Sequence, residues 1–173
     1  MHNPPDPKYV YHGSPMPFET AVPKRQLRSR KDEHGTYKVT FDEISFHATP
    51  YKWIALAYTY TSKPHKMRTK NAHYNMGVSL YENEEELGIY GFGSLEESLE
   101  KLYGDGGYLF TFKKEDFFTM EGLGDLEVIT KAELVPHKIE RIDDPLAELK
   151  QLGITFSFID LAKTEHKNER NYY

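Results

Sequence analysis

The chain has 173 residues, no cysteine and a formal net charge of -5, a length that suits one domain able to fold without staples. The missing thiols exclude disulfides, thiolate metal sites and cysteine nucleophiles, and the acidic balance argues against general polyanion binding while leaving room for a local basic groove. Its apolar runs fall far short of the roughly 20 residues that cross a bilayer, and MHNPPDPK lacks the basic and apolar regions of a signal peptide, so a soluble, intracellular (cytoplasmic) protein with no membrane partner is expected.

In chain order, residues 1–7 contain three prolines and are expected as a flexible arm ahead of a single domain over 8–173. Lys8-Tyr9-Val10-Tyr11 is a short strand pattern that breaks at His12-Gly13-Ser14-Pro15. The run 23–38, PKRQLRSRKDEHGTYK, is charged and aperiodic, which predicts a solvated loop. A strand is expected around Ile44-Ser45-Phe46-His47-Ala48. Thr49-Pro50 then reads as a helix start, since Thr caps free N–H groups and Pro at the first helical position wastes no donor. Trp53, Ile54, Ala57 and Tyr58 follow at helical spacing.

Residues 62–75, SKPHKMRTKNAHYN, read as a basic loop; 76–81 and 87–92 read as strands around the acidic turn ENEEE. Ser94 with Glu97 three residues on is a capping-box start for a helix that ends at glycines. Gly107 to Lys113 alternates as a strand does, 114–125 is a loop, 126–130 and 133–142 are strand-like, and 145–152 is a short helix. Mixed order with hairpins dominating predicts an α+β fold of mixed, mostly antiparallel sheets with a few short helices.

Common catalytic signatures are missing: there is no Walker loop, HExxH, GxSxG or GxGxxG, and Gly91-Phe92-Gly93-Ser94 is only a turn before a helix. None of the eight histidines is paired at the spacing of a helix-borne zinc site, so no metal is expected. The 13 tyrosines and 10 phenylalanines suit half-buried strands, and they also suit a site for a flat ligand. His12-Gly13-Ser14 deserves weight for its chemistry. Glycine lets a ligand come so close that its backbone N–H and C=O both engage a planar carboxamide, such as that of nicotinamide. Taken alone, the triplet reads as a strand end with a turn glycine.

YHGS, then ISFHATPYKWIALAY, then LEVITKAELVPHKIERI near the end together resemble the ADP-ribosyltransferase superfamily. More narrowly they resemble the diphtheria-toxin and poly-ADP-ribose-polymerase branch with its His-Tyr-Glu motif, and small bacterial and phage proteins related to it. The resemblance spans about residues 9–142 and implies an ADP-ribosyltransferase-like fold with split sheets, and a transferase that uses NAD as a substrate without a metal. It implies that His12 contacts a ribose hydroxyl, that the Gly13 backbone grips the nicotinamide amide, and that Ser14 is the small hydroxyl residue beside them. In Phe46-His47-Ala48-Thr49, Phe46 stands where the family has a tyrosine against the nicotinamide ring, so stacking is kept and the phenol is lost. Tyr51 and Tyr58 are the candidate substitutes. Glu127 matches the motif glutamate, with Glu133 taking its place if that strand is offset.

Beyond the motif, Arg25, Arg28 and Arg30 are candidates for a pyrophosphate contact, although such a run is more often soluble surface. His34-Gly35-Thr36 repeats the letters of the first triplet without a strand before it. Phe117 and Phe118 sit where the family keeps its acceptor-recognition loop, or else close the core. Three functions remain open: ADP-ribosyl transfer to an unknown acceptor (protein, nucleic acid or small molecule); a degenerate module that binds NAD or ADP-ribose; and an RNA 2'-phosphotransferase-like enzyme.

Overall fold

The computed structural model describes residues 3–65, 72–81 and 84–163, an α+β arrangement of three three-stranded sheets and three short helices. β1 (Tyr9–Ser14) pairs antiparallel with β6 (Gly107–Lys113), and β6 with β8 (Lys138–Ile142). β2 (Lys24–Lys31) pairs antiparallel with β3 (Tyr37–Ala48), whose last three residues pair with β7 (Val128–Thr130). β4 (Asn75–Tyr81) and β5 (Glu84–Gly91) form a hairpin, and β9 (Thr155–Asp160) adds to β5 in parallel. The helices are α1 (Lys52–Ala57), α2 (Leu95–Tyr103) and α3 (Pro145–Gln151).

Alternation along β6 explains where the core sits. Leu109 faces a large cluster built from Trp53, Ile54 and Leu56 of α1, Leu87 and Ile89 of β5, Leu102 of α2 and Leu149 of α3. Phe110 and Phe112 lie in a second cluster with Val10, Ala21, Ala48 and Val128, against which Phe18, Phe46 and Phe117 pack. Each fully buried phenylalanine contributes about 2–3 kcal/mol by leaving water. α1 therefore lies on one side of the β1–β6 sheet, and the end of β3 lies on the other.

Several expectations are corrected. The strand does not break at His12-Gly13-Ser14: ladder partners Phe110, Leu109 and Tyr108 carry it through Ser14. The charged run 23–38 is not a loop: it holds β2, the turn and the first two residues of β3 in a two-stranded ribbon. All eight residues of β2 are exposed, so no apolar alternation marks the strand, and backbone pairing with ion pairs such as Arg25–Asp42 holds it instead. Helix α1 starts later than Thr49-Pro50. Thr49 pairs with Tyr11, its hydroxyl accepts from the Tyr51 N–H at 3.2 Å, and Tyr51 is the N-cap.

The glutamates at 84–86 lie within β5 rather than in a turn, and Glu85 is buried, where it accepts from the backbone and side chain of Asn3. Asn3 also reaches the Leu152 carbonyl, and the Asp6 N–H bonds the Pro50 carbonyl, so this part of the expected arm is tied down. Of the basic loop at 62–75, Lys66, Arg68 and Lys70 lie outside the described residues, and Lys63 pairs with Asp105. The strand expected over 133–142 begins only at Lys138, with Leu134 bridging Ala21. β9 had no counterpart among the expected elements. Ser94 caps α2 as expected, accepting from the Glu97 N–H at 3.2 Å. No described helix is long and apolar enough to cross a membrane.

Candidate functional site

A cavity of about 800 Å3 opens between β1, one face of the β2–β3 ribbon, the end of α1 and the segment before β7. That volume lies within the range of roughly 300–1,000 Å3 usual for small-molecule sites. Tyr11 and Thr49 exchange both backbone hydrogen bonds, at 2.8 and 2.9 Å, on the edge of β1 away from β6. Alternate residues of a strand turn their N–H and C=O to the same edge, so Gly13 presents both groups there, one step past the bridge. Neither meets a protein partner on that edge among the described residues.

The glycine is also demanded from the other direction. A Cβ at Gly13 would stand 1.8 Å from the Ala55 carbonyl oxygen, so α1 could not seat on any other residue. One residue thus serves the packing of the helix with its missing side chain and opens the cavity with its backbone.

His12 points to the opposite face of β1. Its Nδ1 lies 2.8 Å from the His47 carbonyl oxygen, which only accepts, so Nδ1 carries the hydrogen and Nε2 is left as an acceptor. Burial pushes the imidazole below its ordinary pKa and so favours the neutral ring, a shift partly opposed by that same bond. The ring is wedged against Phe46 at 4.5 Å between centroids and lies 5.8 Å from Phe18, which stacks on Phe110.

Glu127 immediately precedes β7 and faces the ribbon. Arg28 grips it with two hydrogen bonds, Nη1 to Oε2 at 2.6 Å and Nη2 to Oε1 at 2.8 Å. His47 Nδ1 stands 3.4 Å from Oε1, at ion-pair distance and without the alignment of a hydrogen bond. Burial alone would raise the carboxyl, but the Arg28 guanidinium, with His47 beside it, outweighs burial and holds the pKa at about 2. Glu127 is therefore a carboxylate at any physiological pH. Tyr58, at the C-cap of α1, also lines the cavity; burial and then the Glu127 charge push its phenol up, so it stays a hydrogen-bond donor.

The cavity thus gathers His12, Gly13, Ser14, Phe46, Ala48, Thr49, Tyr58 and Glu127. Tyr51 is not among its lining residues; it is buried with the large core cluster at the start of α1, because the chain must turn inward there to begin the helix. Glu133 is exposed and absent from the lining, so Glu127 is the carboxylate at hand. Of the three arginines only Arg28 enters, because strand alternation sends Arg25 to the far face, onto Asp42. His34-Gly35-Thr36 forms the exposed turn of the ribbon. Phe117 packs on Phe112, while Phe118 is 45% exposed and bridges Ile129.

Sequence reasoning gave no role to Lys24, Gln26, Ser45 or His47, all of which line the cavity. The alternation Lys24-x-Gln26-x-Arg28 was the available signal, legible only once the segment is known to be a strand. Among the described residues no group of three or more His, Asp or Glu converges as a metal site would.

Comparisons with protein-family models, curated proteins and solved structures returned no match to this chain.

Proposed function

We propose that the chain transfers ADP-ribose from NAD to an acceptor, with release of nicotinamide. The observation that carries this reading is the meeting, in one cavity, of the open Gly13 backbone edge, the His12 Nε2 acceptor and the ionised Glu127 carboxylate. The Gly13 N–H donates to the carboxamide oxygen of nicotinamide, and its C=O accepts from the carboxamide NH2. His12 Nε2 accepts from a ribose hydroxyl. As the bond between the nicotinamide nitrogen and the ribose carbon breaks, its electron pair leaves with nicotinamide and positive charge develops on the ribose carbon. A carboxylate fixed nearby stabilises that charge most where water is excluded. The acceptor then bonds the same carbon and gives its proton to Glu127 or to solvent.

In this reading Phe46 supplies apolar contact without a phenol, and Tyr58 is the tyrosine that remains at the cavity. The overall architecture is then an ADP-ribosyltransferase-like split-sheet fold. Purified protein incubated with NAD is expected to release nicotinamide, and Glu127→Gln to lose that release while still binding NAD. Absence of release from the wild type, with no NAD-dependent thermal shift, refutes the reading.

A second reading, a module that binds NAD or ADP-ribose without turnover, is favoured by the Arg28 pair that occupies both oxygens of Glu127. Saturable NAD binding without nicotinamide release selects it. An RNA 2'-phosphotransferase-like use would need several arginines converging on a phosphate, and here one of the three lines the cavity.

A further inference from the structure

The inner face of the ribbon carries two cations four residues apart, Lys24 and Arg28, roughly 13 Å along the strand by its rise per residue. Lys24 has no carboxylate partner among the described residues, whereas Arg28 is committed to Glu127 through a two-pronged pair. An arginine fork fits phosphate oxygens as well as it fits a carboxylate. The pair lies at the wall of the cavity, with side chains 44% and 31% exposed, so a ligand reaches it without opening the core. His47 Nδ1 stands 3.4 Å from Glu127 Oε1, so the carboxylate keeps a neighbour if the arginine leaves.

We propose that Arg28 is a two-position residue: in the empty cavity it holds Glu127, and a diphosphate-bearing ligand takes it over, with Lys24, and releases Glu127 toward the rest of the ligand. The cavity is then occupied by an anionic ligand whose own charge unlatches the carboxylate. This deepens the ADP-ribosyl transfer reading and rests on it for the role of the freed Glu127. Recognition of a diphosphate by exchange at Arg28 stands without it.

The test is a double-mutant cycle on diphosphate affinity, measured by calorimetry with inorganic pyrophosphate and with ADP, and with adenosine as the phosphate-free control. Glu127→Gln removes the competing charge and is expected to tighten both anions about tenfold. In an Arg28→Gln background, binding is weak and Glu127→Gln no longer changes it. Arg28→Lys keeps the charge without the fork and is expected to fall between the two. Circular dichroism and melting of each variant separate a folding defect from a binding defect, and the Arg28→Lys pair of the cycle replaces the Arg28→Gln pair if the latter does not fold.

Equal tightening in both backgrounds would mean only that a negative charge had been removed, and would overturn the exchange. Unchanged or weaker binding of both anions in Glu127→Gln, or equal tightening of adenosine, would overturn it too. Tightening of ADP but not of pyrophosphate supports exchange with a nucleoside-borne diphosphate. A positive cycle in a protein that releases no nicotinamide leaves the exchange standing and refutes the transferase. A flat cycle in a protein that does release nicotinamide refutes the exchange alone.

Discussion

Two stretches with nearly the same letters, His12-Gly13-Ser14 and His34-Gly35-Thr36, meet opposite fates in this molecule. The first lies inside a strand paired to β6, with α1 against its glycine and the cavity along its open edge. The second turns the tip of a solvated ribbon. There Gly35 adopts φ +80° with nothing within 4 Å of where a Cβ would be, and the Asp32 carboxylate accepts from the His34 and Thr36 N–H groups at 2.9 Å. A glycine can be required by its neighbours or by its own torsion angle. Of these two glycines, Gly13 is the one set between a helix and the cavity.

The largest expected effect is that of Gly13→Ala. Its methyl group has no space beneath α1, and overpacking of this kind costs about 3 kcal/mol, a fall in melting temperature on the order of 10 °C for a chain of this length. A melting curve unchanged from wild type would show that α1 does not depend on that glycine.

Next in size is the acid response of Glu127. Its pKa is lowered in the folded protein to about 2 from an ordinary value of 4.5, so its stabilisation is complete above that ordinary value and is lost as pH falls through about 2. Urea unfolding across pH is therefore expected to show wild type more stable than Glu127→Gln by roughly 1–2 kcal/mol near neutrality, after allowance for solvent screening. The two curves should converge in acid. A gap that persists to pH 2 would point to packing rather than charge.

His12→Ala is expected to weaken NAD binding about tenfold, the equivalent of one hydrogen bond of about 1.4 kcal/mol, whereas His34→Ala leaves it unchanged. Titration of both variants sharpens the contrast between the triplets, and equal effects would abolish it. The smallest change in stability belongs to Gly35→Ala, where the left-handed torsion alone costs about 1 kcal/mol in a melting curve and NAD binding is untouched.

Much of the fold was legible because its signals are local. The Ser94 cap of α2, the alternation of Gly107 to Lys113 and the Pro145 start of α3 all follow from side chains acting on nearby backbone. Strands with no buried face escaped notice. β2 is exposed along its whole length. The start of β5 was missed for a different reason: its glutamates looked like a turn, although Glu85, Leu87 and Ile89 form a buried face. For the site, His12, Gly13, Phe46 and Glu127 could be nominated from short motifs, but their meeting could not. Arg28 looked like one solvated cation among several because nothing in PKRQLRSRK says which arginine turns inward.

An α+β chain without cysteine chemistry, its better-capped helices, and a short set of candidates at three separated places can be read from the residues alone. These properties follow from covalent composition and from interactions a few residues apart. Tertiary structure decided that Gly13 is needed by Ala55 and that its backbone edge opens into a cavity. It also decided that Glu127 rather than Glu133 faces that cavity, and that Arg28, 99 residues away along the chain, holds it. Those outcomes depend on which strands pair and in what register, and a one-residue shift in register would have turned Arg28 outward and left Glu127 without its partner.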